Sequence, residues 1–293
     1  SLRLEQGLGA VRLVLTTAYR GLKSTYQADA DRTPQPYFHP SLPSTQNQAS
    51  QELQLSSNTP DSRLSWTIGG FYMRLRAQYN PIRFTGAQWP LAFGLPGAEF
   101  HVYARQVVKT QAVYAQATYA LTDNTNITGG IRYTSDMVFA SGHNDIVAPA
   151  LGVSINTTPP NLQSDQRTFN KVTFRLAADH HFSDDVMAYA SFNRGFKAGV
   201  YNLLPFTPPA VEPEILDAYE VGAKSQLFDT RLRLNLAAFY YDVKNLQVQR
   251  FDGASIVLVN AATARSKGVE IWADAVFSER FRGRAAGGLP GAK

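Results

Sequence analysis

Segments of alternating apolar and polar residues, joined in strict succession by very short turns and long loops, constrain this chain more than any other property. Four short turns follow segments ending in a large apolar residue: Leu121-Thr122-Asp123-Asn124, Phe182-Ser183-Asp184-Asp185, Phe228-Asp229-Thr230-Arg231 and Phe277-Ser278-Glu279-Arg280. Between the segments lie loops at 27–45, 80–104, 141–168 and 199–213, rich in Pro, Gly, Asn and Ser, with a shorter turn at 251–254. Loops beyond about fifteen residues are uncommon in compact soluble domains. One end of the molecule is therefore predicted to be clipped and the other elaborated.

The segments have the period of a strand, in which successive side chains point to opposite faces. Over 171–182 one face reads Val172, Phe174, Leu176, Ala178, His180 and Phe182, and the other Lys171, Thr173, Arg175, Ala177, Asp179 and His181. Leu232, Leu234, Leu236, Ala238 and Tyr240 are likewise set against Arg231, Arg233, Asn235, Ala237, Phe239 and Tyr241. Val11–Tyr19 and Tyr219–Leu227 repeat the pattern more weakly, and further strands are expected at 46–57, 63–79, 105–121, 126–140, 186–198 and 255–277. Many exceed the roughly nine to eleven residues that cross a bilayer at a tilt, so their ends should project beyond it. Aromatic residues gather near the strand ends, at Tyr19 and Tyr26, Phe71 and Tyr72, Tyr114 and Tyr119, Phe192 and Phe196, Tyr240 and Tyr241. That is where rings half apolar and half wet are favoured at membrane interfaces. The fold class these features predict is all-β: a transmembrane antiparallel meander β-barrel, with tight turns on the periplasmic side and long loops outside.

Composition is compatible with this and narrows the chemistry. Of 293 residues, 44% are apolar and 17% charged, and no run of about eighteen apolar residues offers a transmembrane helix. The absence of cysteine excludes disulfides, thiolate metal sites and cysteine nucleophiles. The net charge of +5 is scattered as single Lys and Arg residues rather than in blocks, so no nucleic-acid partner is expected. Ser1-Leu2-Arg3-Leu4-Glu5 has neither the charged nor the apolar region of a signal peptide.

Over residues 105–277 the chain resembles the barrel of a TonB-dependent outer-membrane receptor. The resemblance rests on Tyr114-Ala-Gln-Ala-Thr-Tyr119, Gly129-Gly-Ile-Arg-Tyr-Thr134, Tyr189-Ala-Ser-Phe-Asn-Arg-Gly-Phe-Lys197, Val211-Glu-Pro-Glu214 and Tyr219-Glu-Val-Gly-Ala-Lys224, in that order. It continues through Asn235-Leu-Ala-Ala-Phe-Tyr-Tyr-Asp242, Asn260-Ala261 and Lys267-Gly-Val-Glu270, with looser likeness at Tyr19-Arg20, Gln51-Glu-Leu53 and Ser65–Tyr72. The resemblance implies a barrel of about 22 strands around a plug, embedded in outer-membrane lipid and lipopolysaccharide and driven by the inner-membrane TonB complex. About 11–12 of those strands are expected here, so residues 1–293 read as a barrel fragment without the plug through which TonB would act. The expected activity is TonB-driven uptake of an iron–siderophore complex, another metal chelate or a further large nutrient ligand. The alternative is a passive porin.

No catalytic cluster, cofactor or metal site is expected. His180 and His181 are adjacent and point to opposite faces, and no Gly-x-Ser-x-Gly elbow is present. Asp184-Asp185 reads as turn chemistry. A Lys or Arg facing lipid at the bilayer centre costs roughly 2–4 kcal/mol, so Arg132, Arg175, Glu220, Lys224 and Glu270 are expected to face the lumen, supporting the plug or lining a substrate path. Arg194 and Lys197, at the outer end of a strand beside loop 199–213, are candidates for an anionic ligand.

Overall fold

The computed structural model describes residues 1–204, 206–207, 209–252 and 255–292. The strands are β1 (Leu2–Leu8), β2 (Val11–Gln27), β3 (His39–Ser57), β4 (Leu64–Thr85), β5 (Glu99–Thr122), β6 (Thr125–Ala148), β7 (Val153–Asn156), β8 (Ser164–Ser183) and β9 (Val186–Lys197). They continue as β10 (Asn202–Leu203), β11 (Phe206–Thr207), β12 (Glu214–Leu227), β13 (Leu232–Lys244), β14 (Gln247–Asp252), β15 (Ser255–Asn260), β16 (Thr263–Ser278) and β17 (Phe281–Ala292). One short helix, α1 (Gln88–Phe93), precedes β5.

Thirteen strands form one sheet in the order β1-β2-β3-β4-β5-β6-β8-β9-β12-β13-β16-β17, with β7 attached to β6. Every pairing is antiparallel, so the sheet is the expected meander. Register then decides which residues share a face. Leu53, Ile68, Val113, Ile131, Leu176, Val221, Leu236 and Val269 all lie on one face and are all exposed. A continuous exposed apolar face of this extent is stable only against lipid or a partner. Tyr19, Tyr72, Tyr133, Tyr219 and Tyr240 rim it towards the long loops, and Tyr119, Phe182, Phe277 and Phe281 lie exposed towards the short turns. Phe71, Tyr114 and Tyr241, expected in the same rims, fall on the other face because each is one residue out of phase with its outward neighbours.

Three of the four short turns share one device. The hydroxyls of Thr122, Ser183 and Ser278 accept the backbone N–H two residues on, from Asn124, Asp185 and Arg280, at 3.3–3.4 Å. The Asp184-Asp185 turn is thus capped by Ser183 rather than by its own carboxylates. The fourth turn is different: Phe228, Asp229 and Thr230 all adopt positive φ (56°, 53° and 66°) between Leu227 and Leu232.

The long loops are shorter than the sequence suggests, because strands run into them: β4 reaches Thr85, β5 begins at Glu99 and β6 reaches Ala148. The continuous strand expected at 255–277 is two strands. Asn245, at φ 55°, ends β13, and β14 and β15 form a separate hairpin before β16 rejoins the sheet. The expected turn at 251–254 lies partly outside the described residues.

Candidate functional site: the inward wall and its outer mouth

Arg132, Arg175, Glu220, Lys224 and Glu270 all lie on the face opposite the exposed apolar one. The Arg132 guanidinium stands 5.6 Å from the ring centroids of both Phe71 and Tyr114, and its Nε donates to Thr134 Oγ1 at 3.0 Å. Arg175 Nη1 donates to Asn193 Oδ1 at 3.1 Å. The Tyr189 hydroxyl donates to Glu220 Oε1 at 2.6 Å, and Lys224 Nζ lies 5.5 Å from the Tyr189 ring centroid. Lys224 and Glu270 share an open groove of about 460 Å³ with Tyr189, Asn235 and Trp272. Three of the five candidates are therefore gathered around Tyr189, while Arg132 and Arg175 sit in separate settings.

The sequence reading missed several polar groups on this wall. Tyr114 donates to Glu52 at 2.7 Å, the Thr110 hydroxyl to the buried Asp136, and Arg282 and Arg284 both reach the buried Asp274. Two inward tyrosines, Tyr114 and Tyr189, are positioned by glycines directly opposite them, Gly69 and Gly222. A Tyr–Gly cross-strand pairing is visible in the sequence only once register is known.

Arg194 and Lys197 are three residues apart on a strand and so occupy opposite faces. Arg194 is on the outward side, bonded through Nε and Nη2 to both carboxylate oxygens of Asp217 at 2.6 and 2.7 Å. That pair lies one step beyond the Phe192–Tyr219 row towards the long loops, and Arg194 holds the Asp217 carboxyl below the usual carboxylate range. Lys197 is on the inward side, opposite Glu214. The two do not form one ligand site.

At the long-loop end, the segment between β9 and β12 folds against the inward wall. Tyr201 and Ala210 are buried with Val138, Ala140 and Phe169, while Leu203 and Leu204 pack on Ile82, Val102 and Ala104. Burial raises the Tyr201 phenol well above its ordinary value. The Asn202 side chain holds this segment to β15, donating to the Leu258 carbonyl at 3.1 Å and accepting its N–H at 2.6 Å. Gln247 donates to the carbonyls of Ala198 and Glu212, and Glu212 pairs with Arg167 at 2.7 Å.

Beside it, Phe38, Phe84, Trp89, Phe93 and Phe100 form a half-buried aromatic cluster with centroid spacings of 5.5–6.3 Å. Asp29, Asp31 and His39, on the neighbouring loop and strand, bring one ligand atom each within 4.8 Å of the others. This is a group the sequence reading passed over. The Asp31 carboxylate is already engaged by the Thr33 hydroxyl and by the N–H groups of Thr33 and Phe38, and these hold it below the usual carboxylate range. His180 and His181 do point apart, towards Thr125 and Asp179 respectively.

Comparison with known proteins matches this wall to a family. Residues 2–288 fit the family model described as TonB dependent receptor-like, beta-barrel. A pesticin receptor of Yersinia enterocolitica is 24% identical over 236 residues, covering 78% of this chain and 32% of its own length. A pesticin receptor of Yersinia pestis matches to the same extent. The chain thus spans about a third of the length of these curated relatives. Among solved structures, the ferric yersiniabactin uptake receptor FyuA from Yersinia pestis superposes with a TM-score of 0.78 at 20% identity, over 99% of this chain and 41% of that one. The copper transporter OprC superposes at 0.73 and 14% identity, over 96% and 44% of the two chains.

Proposed function

Since the chain belongs to the TonB-dependent receptor-like β-barrel family, whose members are receptors and transporters of the Gram-negative outer membrane, we propose that it forms barrel wall of a receptor for TonB-driven uptake of an iron–siderophore complex. Another metal chelate or large nutrient is the wider class, since the similar structures include both a ferric yersiniabactin receptor and a copper transporter.

The observation that carries this reading is the division of the sheet. Apolar residues cover the outward face between two aromatic rims, and the inward face carries charges of both signs bonded among tyrosines and amides. Such a wall suits a polar lumen, and the family match favours one filled by protein over an open water-filled pore. Arg132, Arg175, Glu220, Lys224 and Glu270 are assigned to supporting a plug or lining the path beside it. Lys197 and the aromatic cluster at the mouth are candidates for ligand contact.

The test is growth of the parent strain, a deletion of the full-length gene and a TonB deletion under iron limitation with a supplied ferric siderophore. Loss of uptake in both deletions is expected. Uptake that persists without TonB would establish a passive porin instead.

A further inference from the structure

The β2–β3 register continues past Gln27 into the loop that joins the two strands. The Ala28 N–H donates to the Pro40 carbonyl at 3.2 Å and the Ala30 N–H to the Phe38 carbonyl at 3.1 Å, so the pairing of Gln27 with Ser41 runs on with Asp29 directly opposite His39. Residues of alternate number share a face, which puts Asp31 beside Asp29. That face is the outward one, since His39 pairs with Thr85 on β4 in phase with the outward residues of β3. Phe38, one residue out of phase, turns the other way and stacks on Phe84 of the inward aromatic cluster at 5.7 Å.

An imidazole and two carboxylates therefore converge on one spot. His39 Nε2 is 3.6 Å from Asp29 Oδ1, and one atom from each of Asp29, Asp31 and His39 lies within 4.8 Å of the others. Ligands held at about 2 Å from a zinc ion sit roughly 3–4 Å from one another, so a cation between these three needs only small side-chain adjustments. Asp31 is set in place: its Oδ1 accepts the Thr33 hydroxyl at 2.6 Å and the Thr33 N–H at 2.9 Å, and its Oδ2 accepts the Phe38 N–H at 2.6 Å. A carboxylate has about four lone-pair sites, so one on Oδ2 stays open. Thr85 steadies the opposite side, its hydroxyl donating to the His39 carbonyl at 3.2 Å. The Asp29 and His39 side chains are half-exposed, which leaves an entry path and room for water as a further ligand.

The charge of this corner is unbalanced. Among the described residues no Lys or Arg side chain lies within 4 Å of Asp29 or Asp31. Other outward carboxylates are matched: Arg194 takes Asp217, and Arg265 takes Asp242. Two carboxylates held this close repel one another, and a divalent cation relieves the repulsion while using the imidazole lone pair as well. Imidazole suits zinc and its transition-metal neighbours, whereas calcium and magnesium take oxygen ligands.

We propose that Asp29, Asp31 and His39 bind a zinc-like divalent cation that clips the β2–β3 loop to the start of β3. The ion is structural rather than cargo, because the site faces away from the lumen. Its effect reaches the mouth through Phe38, whose N–H is bonded to Asp31 and whose ring packs on Phe84 and, at 6.2 Å, on Trp89. Fixing the loop fixes one side of that aromatic cluster. The inference goes beyond the transport reading and holds whichever chelate the receptor carries.

Calorimetric titration of the full-length receptor with zinc chloride, after stripping with EDTA, tests it. Wild type is expected to bind an equivalent of zinc that Asp29→Asn and His39→Gln each weaken at least tenfold. His143→Gln, at another partly exposed histidine beside a carboxylate, should leave that equivalent unchanged. A large excess of calcium should not displace it. Zinc should also slow hydrogen exchange at the Thr33 and Phe38 amides of wild type at least tenfold, with no change at Val221 in β12. Zinc affinity undiminished in both folded variants, displacement by calcium, or unchanged exchange at Thr33 and Phe38 overturns the proposal. Should the variants not fold, the exchange and calcium measurements on wild type decide alone.

Discussion

The Tyr189 ring reaches across Gly222, its direct cross-strand partner, so closely that a Cβ on Gly222 would meet the ring Cζ at 2.6 Å and the Leu236 carbonyl at 2.7 Å. The ring reaches over a strand that has no side chain to obstruct it, and its hydroxyl arrives at Glu220. Tyr114 crosses Gly69 in the same way, with the corresponding clash at 2.5 Å, and reaches Glu52. Each pair fixes a large polar ring against the inward wall and orders a carboxylate with it.

Gly222→Ala should therefore destabilise the wall by about 1–3 kcal/mol, the usual cost of overpacking. Gly195→Ala, also on the inward face but with nothing within 4 Å of the new methyl, should be neutral or stabilising by up to about 1 kcal/mol. Urea unfolding of the two variants in lipid vesicles, followed by tryptophan fluorescence, distinguishes these outcomes.

Asp217 should make stability depend on acid. Its carboxyl is held below the usual range by Arg194, so the ion pair contributes fully above the ordinary carboxylate value of about 3.9. That contribution is lost as pH falls through the lower folded value. Asp217→Asn should cost about 1 kcal/mol at neutral pH, given that Arg194 is partly exposed. The gap between variant and wild type should close below about pH 4. A gap unchanged down to pH 2 would show that the pair does not act through its charge.

Asn202→Ala removes two hydrogen bonds that hold the mouth segment to β15. At about 1 kcal/mol net for each, the segment should open more readily while the sheet is unaffected. Hydrogen exchange at the Leu258 amide is expected to accelerate by roughly ten- to thirtyfold, with no change at Val221 in β12.

Thr230→Gly should stabilise the β12–β13 turn. A β-branched residue at φ 66° is strained, and the left-handed conformation costs a non-glycine residue roughly 1–2 kcal/mol. A rise in the urea midpoint with an unchanged m-value is the expected signature.

Much of the architecture was legible in the sequence because it depends on local chemistry. The period of two, the places of the four short turns and part of the aromatic rims follow from the pleat and from local turn chemistry, while the Ser and Thr hydroxyls that cap three of those turns came only with the backbone geometry. The assignment of Arg132, Arg175, Glu220, Lys224 and Glu270 to one face needed only their phase relative to Ile131, Leu176, Val221 and Ile271. The break at Asn245 and the separate β14–β15 hairpin were not legible, since Gln247–Arg250 and Ser255–Asn260 can each be read as the outer end of a long wall strand. What draws it out of the sheet is pairing with residues around 198–214.

The sequence by itself determined that the chain is a meander of long strands with one apolar and one polar face. Only the tertiary structure decided that Arg194 pairs with Asp217, that Arg194 and Lys197 stand on opposite faces, and that Tyr189 spans Gly222. The physical reason is that face is set by a residue's own parity along its strand. Partnership is set by register between strands, and that is a sum over many ladder contacts that no single segment contains.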